Sequence, residues 1–228
     1  MTSQKKSPLT SKLILGVIMA ISLSGMTSFA DKNISIHQAI TKQNVTLVID
    51  IIKQNPNSLE LKDRHGRTPL MLATQSNNVK VAEILIEAGA NVNAKDRIQD
   101  TPYLLAGAEG YNEILKLTLA NGANIKDTNR YGGTAIIPAA EKGHLETVKI
   151  LLEAGLDPNH INNLGWTALM EAVVLGNGSN LYVEIVETLI AGGADPNIPD
   201  KYGITLLTHA KNRNNKAMIE LLQSKGAK

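Results

Sequence analysis

One segment recurs in register along this chain of 228 residues. A threonine marks the same place in four evenly spaced copies: Thr68 in "DRHGRTPLMLA", Thr101 in "DRIQDTPYLLA", Thr134 in "NRYGGTAIIPA" and Thr167 in "NNLGWTALMEA". A later copy, "DKYGITLLTHA", follows at Thr205 after a longer interval, and a looser earlier copy, "ISIHQA", begins at Ile34. Self-similarity at a period of roughly 20–50 residues is typical of architectures that stack one small unit on the next.

Each copy has the pattern of a tight turn followed by two helices. Asp or Asn, usually with Gly, predicts the turn. The threonine is predicted to cap the first helix, and Pro69 and Pro102 stand at the first helical position, where proline has no hydrogen bond to lose. The second helix is predicted to end at a glycine in each clear copy: Gly89, Gly122, Gly155 and Gly193.

These units cannot bury their helices alone, so they are expected to share one continuous core. The sequence therefore predicts an all-α solenoid of about six helix–turn–helix units with short β-turn or hairpin tips. The units are placed at 31–62, 63–95, 96–128, 129–161, 162–199 and 200–228. The fifth unit carries an insertion in "GNGSNLY" (176–182), which is expected to protrude as a loop between its two helices.

The first part of the chain, up to Ala30, differs in kind from the repeats. A basic, polar start precedes the apolar run Leu13–Leu23, and small residues follow up to Ala30. This pattern predicts a secretory signal peptide cleaved after Ala30, with the mature chain in the periplasm or secreted. An uncleaved membrane anchor is the alternative, although the apolar run is shorter than the ~20 residues that a span needs.

The repeated units resemble the ankyrin repeat. The resemblance rests on their length of about 33 residues, on the "TPL" helix start with its later alanine, and on exits such as "ADPN". It covers residues 33–228. Two departures stand out: the histidine that the family places at the helix start is matched only by His37, and Pro138 lies one turn into a helix, where it removes a donor. The resemblance implies a non-catalytic module that binds a protein partner.

The resemblance further implies that binding uses the turn tips and the inner face of the first helices. The predicted inner-face residues are Gln75, Ser76, Ala108, Glu109, Glu141, Lys142, Val174, Leu175, Asn212 and Arg213. The predicted tip residues are Arg64, His65, Arg67, Arg97, Ile98, Arg130, Tyr131, Leu164, Trp166, Lys201 and Tyr202. Arg64, Arg97, Arg130 and Lys201 occupy one repeat position and are called the basic ladder below. The hypothesis is that this ladder binds an acidic surface of the partner; the alternative is that it only keeps the tips soluble.

Composition excludes several other classes of function. Without residues 1–30 the chain has 20 basic and 21 acidic residues, which argues against nucleic acid or an anionic membrane as its partner. Aromatic residues make up 3% of the chain, too few for base-stacking platforms, and cysteine is absent. The five histidines show no metal-ligand spacing, and no nucleotide or nucleophile motif occurs, so neither a cofactor nor a metal is expected.

Several roles remain open for such an array. It could be an immunity or inhibitor protein for a periplasmic toxin or hydrolase, or an exported effector that binds host proteins. The family resemblance also allows an accessory role in peroxide defence. A structural envelope scaffold is a further alternative, and so is a metal-binding or enzymatic protein that uses the 176–182 loop with a histidine.

Overall fold

Twelve α-helices in six consecutive pairs make up the described part of the chain. The structure is a computed structural model that describes residues 34–228, so the predicted signal peptide lies outside the described residues. The helices are α1 Ile36–Thr41, α2 Val45–Gln54, α3 Pro69–Gln75, α4 Val79–Glu87, α5 Pro102–Glu109, α6 Asn112–Ala120, α7 Ile136–Glu141, α8 Leu145–Glu153, α9 Ala168–Val174, α10 Asn180–Ala191, α11 Leu206–Asn212 and α12 Lys216–Ser224. A short 3₁₀ helix, Pro56–Glu60, follows α2.

The pairs stack in chain order. Each first helix contacts the first helix of the next pair, and each second helix contacts the next second helix. A buried alanine occupies the same repeat position in every first helix and lets neighbouring helices approach closely: Ala39, Ala73, Ala106, Ala139, Ala172 and Ala210 are each at most 1% exposed. One hydrophobic cluster runs through all six pairs. The predicted all-α solenoid is confirmed, and no strand occurs between residues 34 and 228.

Threonine caps begin most first helices, as predicted. The side chains of Thr68, Thr101, Thr167 and Thr205 each accept a hydrogen bond from the backbone N–H three residues later, at 3.1–3.3 Å. The first pair has no threonine at this place, and its cap is Ser35, the residue after Ile34. Ser35 forms a capping box with Gln38, and α1 therefore begins one residue later than the aligned sequence indicates.

The fourth pair also departs from the prediction, since Thr134 does not cap its helix. In the four units that a threonine does cap, the threonine carbonyl accepts the N–H of the residue four positions later. Pro138 stands at that place and has no N–H. The carbonyl of Thr134 instead accepts the N–H of Ile137 at 3.1 Å, and α7 begins only at Ile136. The buried hydroxyl of Thr134 is left without a partner among the described residues.

Exit residues of the units join neighbouring pairs through a repeated staple. Asn93 donates to the carbonyl of Gly122 at 3.0 Å and accepts the N–H of Asn124 at 2.8 Å. Asn159 and Asn197 make the same two bonds at later junctions. At the corresponding place of the third unit stands Lys126, which makes neither bond within residues 34–228.

The inserted segment of the fifth unit is helical over part of its length. Of the predicted loop 176–182, residues 176–179 are not helical, but Asn180–Tyr182 belong to α10, which has 12 residues where the preceding second helix, α8, has 9. The Tyr182 hydroxyl donates to the carbonyl of Glu141 at 2.8 Å. The expected protruding loop is therefore shorter than predicted, because Tyr182 ties the segment to the preceding pair. No helix within residues 34–228 is long and apolar enough to cross a membrane.

Candidate partner-binding surface

The five turn tips share one construction. Each begins with Asp63, Asp96, Asn129, Asn162 or Asp200. One side-chain oxygen of that residue accepts the backbone N–H groups two and four residues later, at 2.8–3.1 Å. A backbone hydrogen bond from the fourth residue of the tip to the first closes the turn. This network fixes the direction of the side chains at the second and third places, because both lie inside the bonded turn.

The third place of four successive tips carries an exposed apolar side chain. Ile98 is 48% exposed, Tyr131 53%, Leu164 49% and Tyr202 77%. We call these four residues the apolar tip stripe. Large apolar side chains that are half exposed in a row are unusual unless a partner covers them.

The basic ladder lies beside this stripe, and all four of its members are exposed. The Arg130 guanidinium is 4.5 Å from the centre of the Tyr131 ring, and the Lys201 ammonium is 5.1 Å from the centre of the Tyr202 ring. Both distances are within reach of a cation–π interaction. Arg130 also lies 3.7 Å from the Asp100 carboxylate of the preceding tip. Two of the four ladder residues, Arg130 and Lys201, therefore support the aromatic side chains of their tips while keeping their own charges in solvent.

Three predicted tip residues have other contacts. Arg67 forms an ion pair with Asp63 at 2.6 Å and a hydrogen bond with Gln75, so it braces its own tip. Trp166 is half buried and packs against the core. His65 is exposed, but its ring accepts from the Arg64 side chain at 3.0 Å.

A hollow between the fourth and fifth units was not predicted from the sequence. Its volume is about 220 Å³, and it opens between the two tips and the helices α7 and α9. Tyr131 and Leu164 of the apolar tip stripe line it together with Leu175. Glu141 and Glu171 supply two carboxyl groups. We call it the Glu171 hollow. The residue that gives it this name could have been noticed in "TALMEA", where an acid stands at a place that is leucine in the second and third units.

Glu171 is 4% exposed and unusually placed for a carboxyl group. Its Oε1 accepts from the Asn162 amide at 3.0 Å, whereas its Oε2 has no partner among the described residues. Burial and the neighbouring Glu141 carboxylate raise the pKa of Glu171 to about 7, and the bond from Asn162 opposes this rise.

The last unit has a different pair of side chains at the positions of Asn162 and Glu171. His209 stands where Glu171 stands in the fifth unit, and its Nε2 is 2.9 Å from Oδ2 of the buried Asp200. Burial alone would raise the pKa of Asp200, but hydrogen bonds from the Ile204 N–H, the His209 ring and the Tyr202 N–H lower it. Both oxygens of the Asp200 carboxylate therefore have hydrogen-bond partners, in contrast to Oε2 of Glu171.

The surroundings of the inserted loop are polar and basic. Asn177, Gly178, Arg213 and Lys216 line a shallow hollow of about 390 Å³ between the fifth and sixth units. Within the part of the chain that the structure describes, no group of three or more His, Cys, Asp or Glu residues could hold a metal ion. The predicted metal-binding or enzymatic use of the 176–182 loop gains no support from these neighbours.

Comparison with known proteins gives one consistent relationship. The family profile described as ankyrin repeats (3 copies) matches residues 7–96 and 103–200. The solved structure of an ankyrin repeat domain from Acinetobacter baumannii AYE is 53% identical in sequence, with a TM-score of 0.82. The match covers 85% of this chain and 98% of that domain's chain. The solved structure of the ankyrin repeat protein EF0377 is 39% identical in sequence, with a TM-score of 0.80, and the match covers 83% of this chain and 96% of that chain. A search of the curated proteins found no match.

Proposed function

Because this chain belongs to the ankyrin-repeat family, whose repeats are protein–protein interaction modules, we propose that it is a non-catalytic binder of one protein partner in the bacterial envelope. The apolar tip stripe carries this proposal. Its four side chains are 48–77% exposed, point from one edge of the stack and lie beside the basic ladder. Apolar and aromatic side chains beside arginine are typical of interface centres.

The charge of the basic ladder indicates what the partner presents. Arg64, Arg97 and Lys201 have no ion pair with an acidic residue of residues 34–228, and Arg130 has only the 3.7 Å contact with Asp100. An acidic surface on the partner would match these charges along the edge. Trp166 and Arg67 are assigned a supporting role, because Arg67 is held by Asp63 and Gln75 of its own unit and Trp166 packs against the core.

The location in the envelope is proposed from the sequence of residues 1–30 alone. A basic start, an apolar run and the small residues before Ala30 support export. Sequencing the N-terminus of the protein recovered from the periplasmic fraction tests this part. We expect Asp31 as the first residue, and recovery in the cytoplasm with an intact N-terminus would contradict it.

The binding surface is tested by capture of partners from the envelope fraction on the immobilised protein. The test variant carries Glu in place of Arg64, Arg97 and Arg130, and a second variant carries Ser in place of Tyr131 and Tyr202. A matched control carries Glu at three exposed second-helix lysines: Lys53, Lys80 and Lys116. We expect one stoichiometric partner that both tip variants lose and the control retains. Equal capture by all variants would contradict the proposed surface.

A further inference from the structure

The Glu171 hollow is a formed recess with an acidic floor and an apolar rim. Its volume of about 220 Å³ is several times the roughly 30 Å³ that one water molecule takes up in the liquid. Tyr131, Leu164 and Leu175 form the rim, and each is about half exposed. Two of these three belong to the apolar tip stripe, so the recess opens within the surface already assigned to the partner.

The floor of the hollow contains an acceptor without a donor. Glu171 is 4% exposed, and Asn162, which is 7% exposed, occupies only one of its two oxygens. The other oxygen, Oε2, has no hydrogen-bond partner among the described residues. An ionised carboxylate can only accept, and leaving a buried acceptor unpaired is unfavourable. Oε2 can therefore accept one further hydrogen bond.

Charge decides which kind of donor fits. Glu141 lines the same hollow, so two carboxyl groups face one space. Neither forms an ion pair within residues 34–228, because the nearby cations are engaged elsewhere: Lys142 with Glu109 at 2.6 Å and Arg130 with Asp100 at 3.7 Å. A cationic donor would match both carboxyl groups. The apolar rim in turn suits a methylene stem that leads from the cation to a larger body.

We propose that the Glu171 hollow receives a lysine or arginine side chain of the protein partner, whose cationic group donates to Oε2 of Glu171 beside Glu141. The methylene stem of that side chain packs between Tyr131, Leu164 and Leu175. The inference rests on the proposed function, since it names what the partner inserts into that interface. The partner would then carry one basic residue within the otherwise acidic surface that faces the basic ladder.

Side-chain analogues test the hollow directly with the full chain. n-Butylamine and n-butylguanidine imitate lysine and arginine, and n-butanol is the uncharged control. Amide signals of Tyr131, Leu164 and Glu171 are followed by ¹H–¹⁵N NMR during titration. We expect saturable shifts with the two cations and at least tenfold weaker binding of butanol. In Glu171→Gln the cation binding should fall at least tenfold, whereas Glu153→Gln, at the exposed end of α8, should leave it unchanged.

Binding of the captured partner completes the test, because a free amine could also occupy the hollow. The affinity of the partner should fall at least tenfold in Glu171→Gln and stay unchanged in Glu153→Gln. The inference is overturned if the wild-type chain shows no cation-specific shifts, if Glu171→Gln binds the amines as well as wild type, or if the partner is indifferent to Glu171→Gln. In that last case, loss of the partner in the tip variants would still uphold the proposed function.

Discussion

At the scale of single residues, the tips place one position under a backbone constraint that a side chain does not favour. The fourth tip residue has a positive φ in all five tips: Gly66, Gly132, Gly165 and Gly203 have φ of 71–84°, and Gln99 has φ of 69°. A residue with a Cβ is strained in this left-handed region by roughly 1–2 kcal/mol. Gln99 is exposed, and its side chain makes no hydrogen bond within residues 34–228 that would offset the strain.

We therefore expect Gln99→Gly to raise the free energy of unfolding by about 1 kcal/mol, because glycine adopts this φ without strain. Urea unfolding followed by circular dichroism measures the change. The matched control is Gly203→Ala, where φ is 77° and an added Cβ would meet nothing within 4 Å. Its free energy of unfolding should fall by a similar amount, because the only change is strain in the backbone. A Gln99→Gly chain no more stable than wild type would show that this tip does not hold residue 99 in the left-handed region.

Glu171 makes stability depend on pH. Its pKa rises from a usual value near 4.5 to about 7 in the folded chain, so between these pH values the folded state binds a proton that the unfolded state has lost. The free energy of unfolding should therefore fall as pH rises from about 4.5 to about 7. Glu171→Gln removes this dependence. Its free energy of unfolding should exceed that of wild type by on the order of 2–3 kcal/mol at pH 8, but by much less at pH 5.

Urea unfolding of both chains at pH 5 and pH 8 measures this difference. Glu153→Gln removes the same charge from an exposed site and should show no gap that widens with pH. A gap for Glu171→Gln that is equal at both pH values would mean that the carboxyl group titrates normally. A stabilised variant that no longer binds butylamine would identify Glu171 as a residue kept for binding at the expense of stability.

At the scale of single helices, α7 differs from the other helices that open a pair, because its start lacks two hydrogen bonds. Pro138 supplies no N–H, so the Thr134 carbonyl bonds to Ile137 and the Thr134 hydroxyl has no partner among the described residues. Pro138→Ala should restore the missing bond and free the Ile137 N–H for the hydroxyl. We expect a net gain of about 1 kcal/mol, since two recovered hydrogen bonds outweigh the greater entropy of the unfolded alanine chain.

Thermal unfolding checks this gain against Pro69→Ala, where the proline stands at the first helical position and no bond is recovered. That control should lose stability. A second pair of variants separates the cap from the proline: Thr167→Val should lose about 1 kcal/mol, whereas Thr134→Val should change stability little. A loss at Thr134 equal to that at Thr167 would mean that the Thr134 hydroxyl is bonded after all.

The helices show which features are readable from sequence and which are not. Caps such as Thr68 and terminators such as Gly89 act within one turn of chain, and the aligned repeats predicted them. Pro138 was recognised as a lost donor, but its effect on Thr134 required the geometry of the turn. The Glu171 hollow could not be predicted, because Glu171 and Tyr131 come from different units and meet only when the units stack.

At the scale of the whole molecule, a solenoid is as cooperative as the junctions between its units allow. The asparagine staples join the second unit to the third, the fourth to the fifth and the fifth to the sixth. At the first junction, Glu60 accepts the N–H of Asn91 at 2.8 Å. The junction between the third and fourth units has Lys126 at the staple position and lacks both bonds within the described residues. Thr147 and Asn112 at 2.7 Å and Lys142 and Glu109 at 2.6 Å still join these two units, but without the staple we expect the stack to separate there first.

Lys126→Asn should close this weak junction. By the spacing of the other staples, the new amide would donate to the Gly155 carbonyl and accept the N–H of Asp157, a gain of about 1 kcal/mol for two exposed hydrogen bonds. Hydrogen exchange measured on peptides from each unit reports the coupling. In the wild-type chain we expect α1–α6 and α7–α12 to exchange as two groups, and in Lys126→Asn as one. Asn159→Ala serves as the converse control, because it should create a second boundary between the fourth and fifth units. If the wild-type halves already exchange together, packing between neighbouring helices couples the units and the staples contribute little to the cooperativity of the stack.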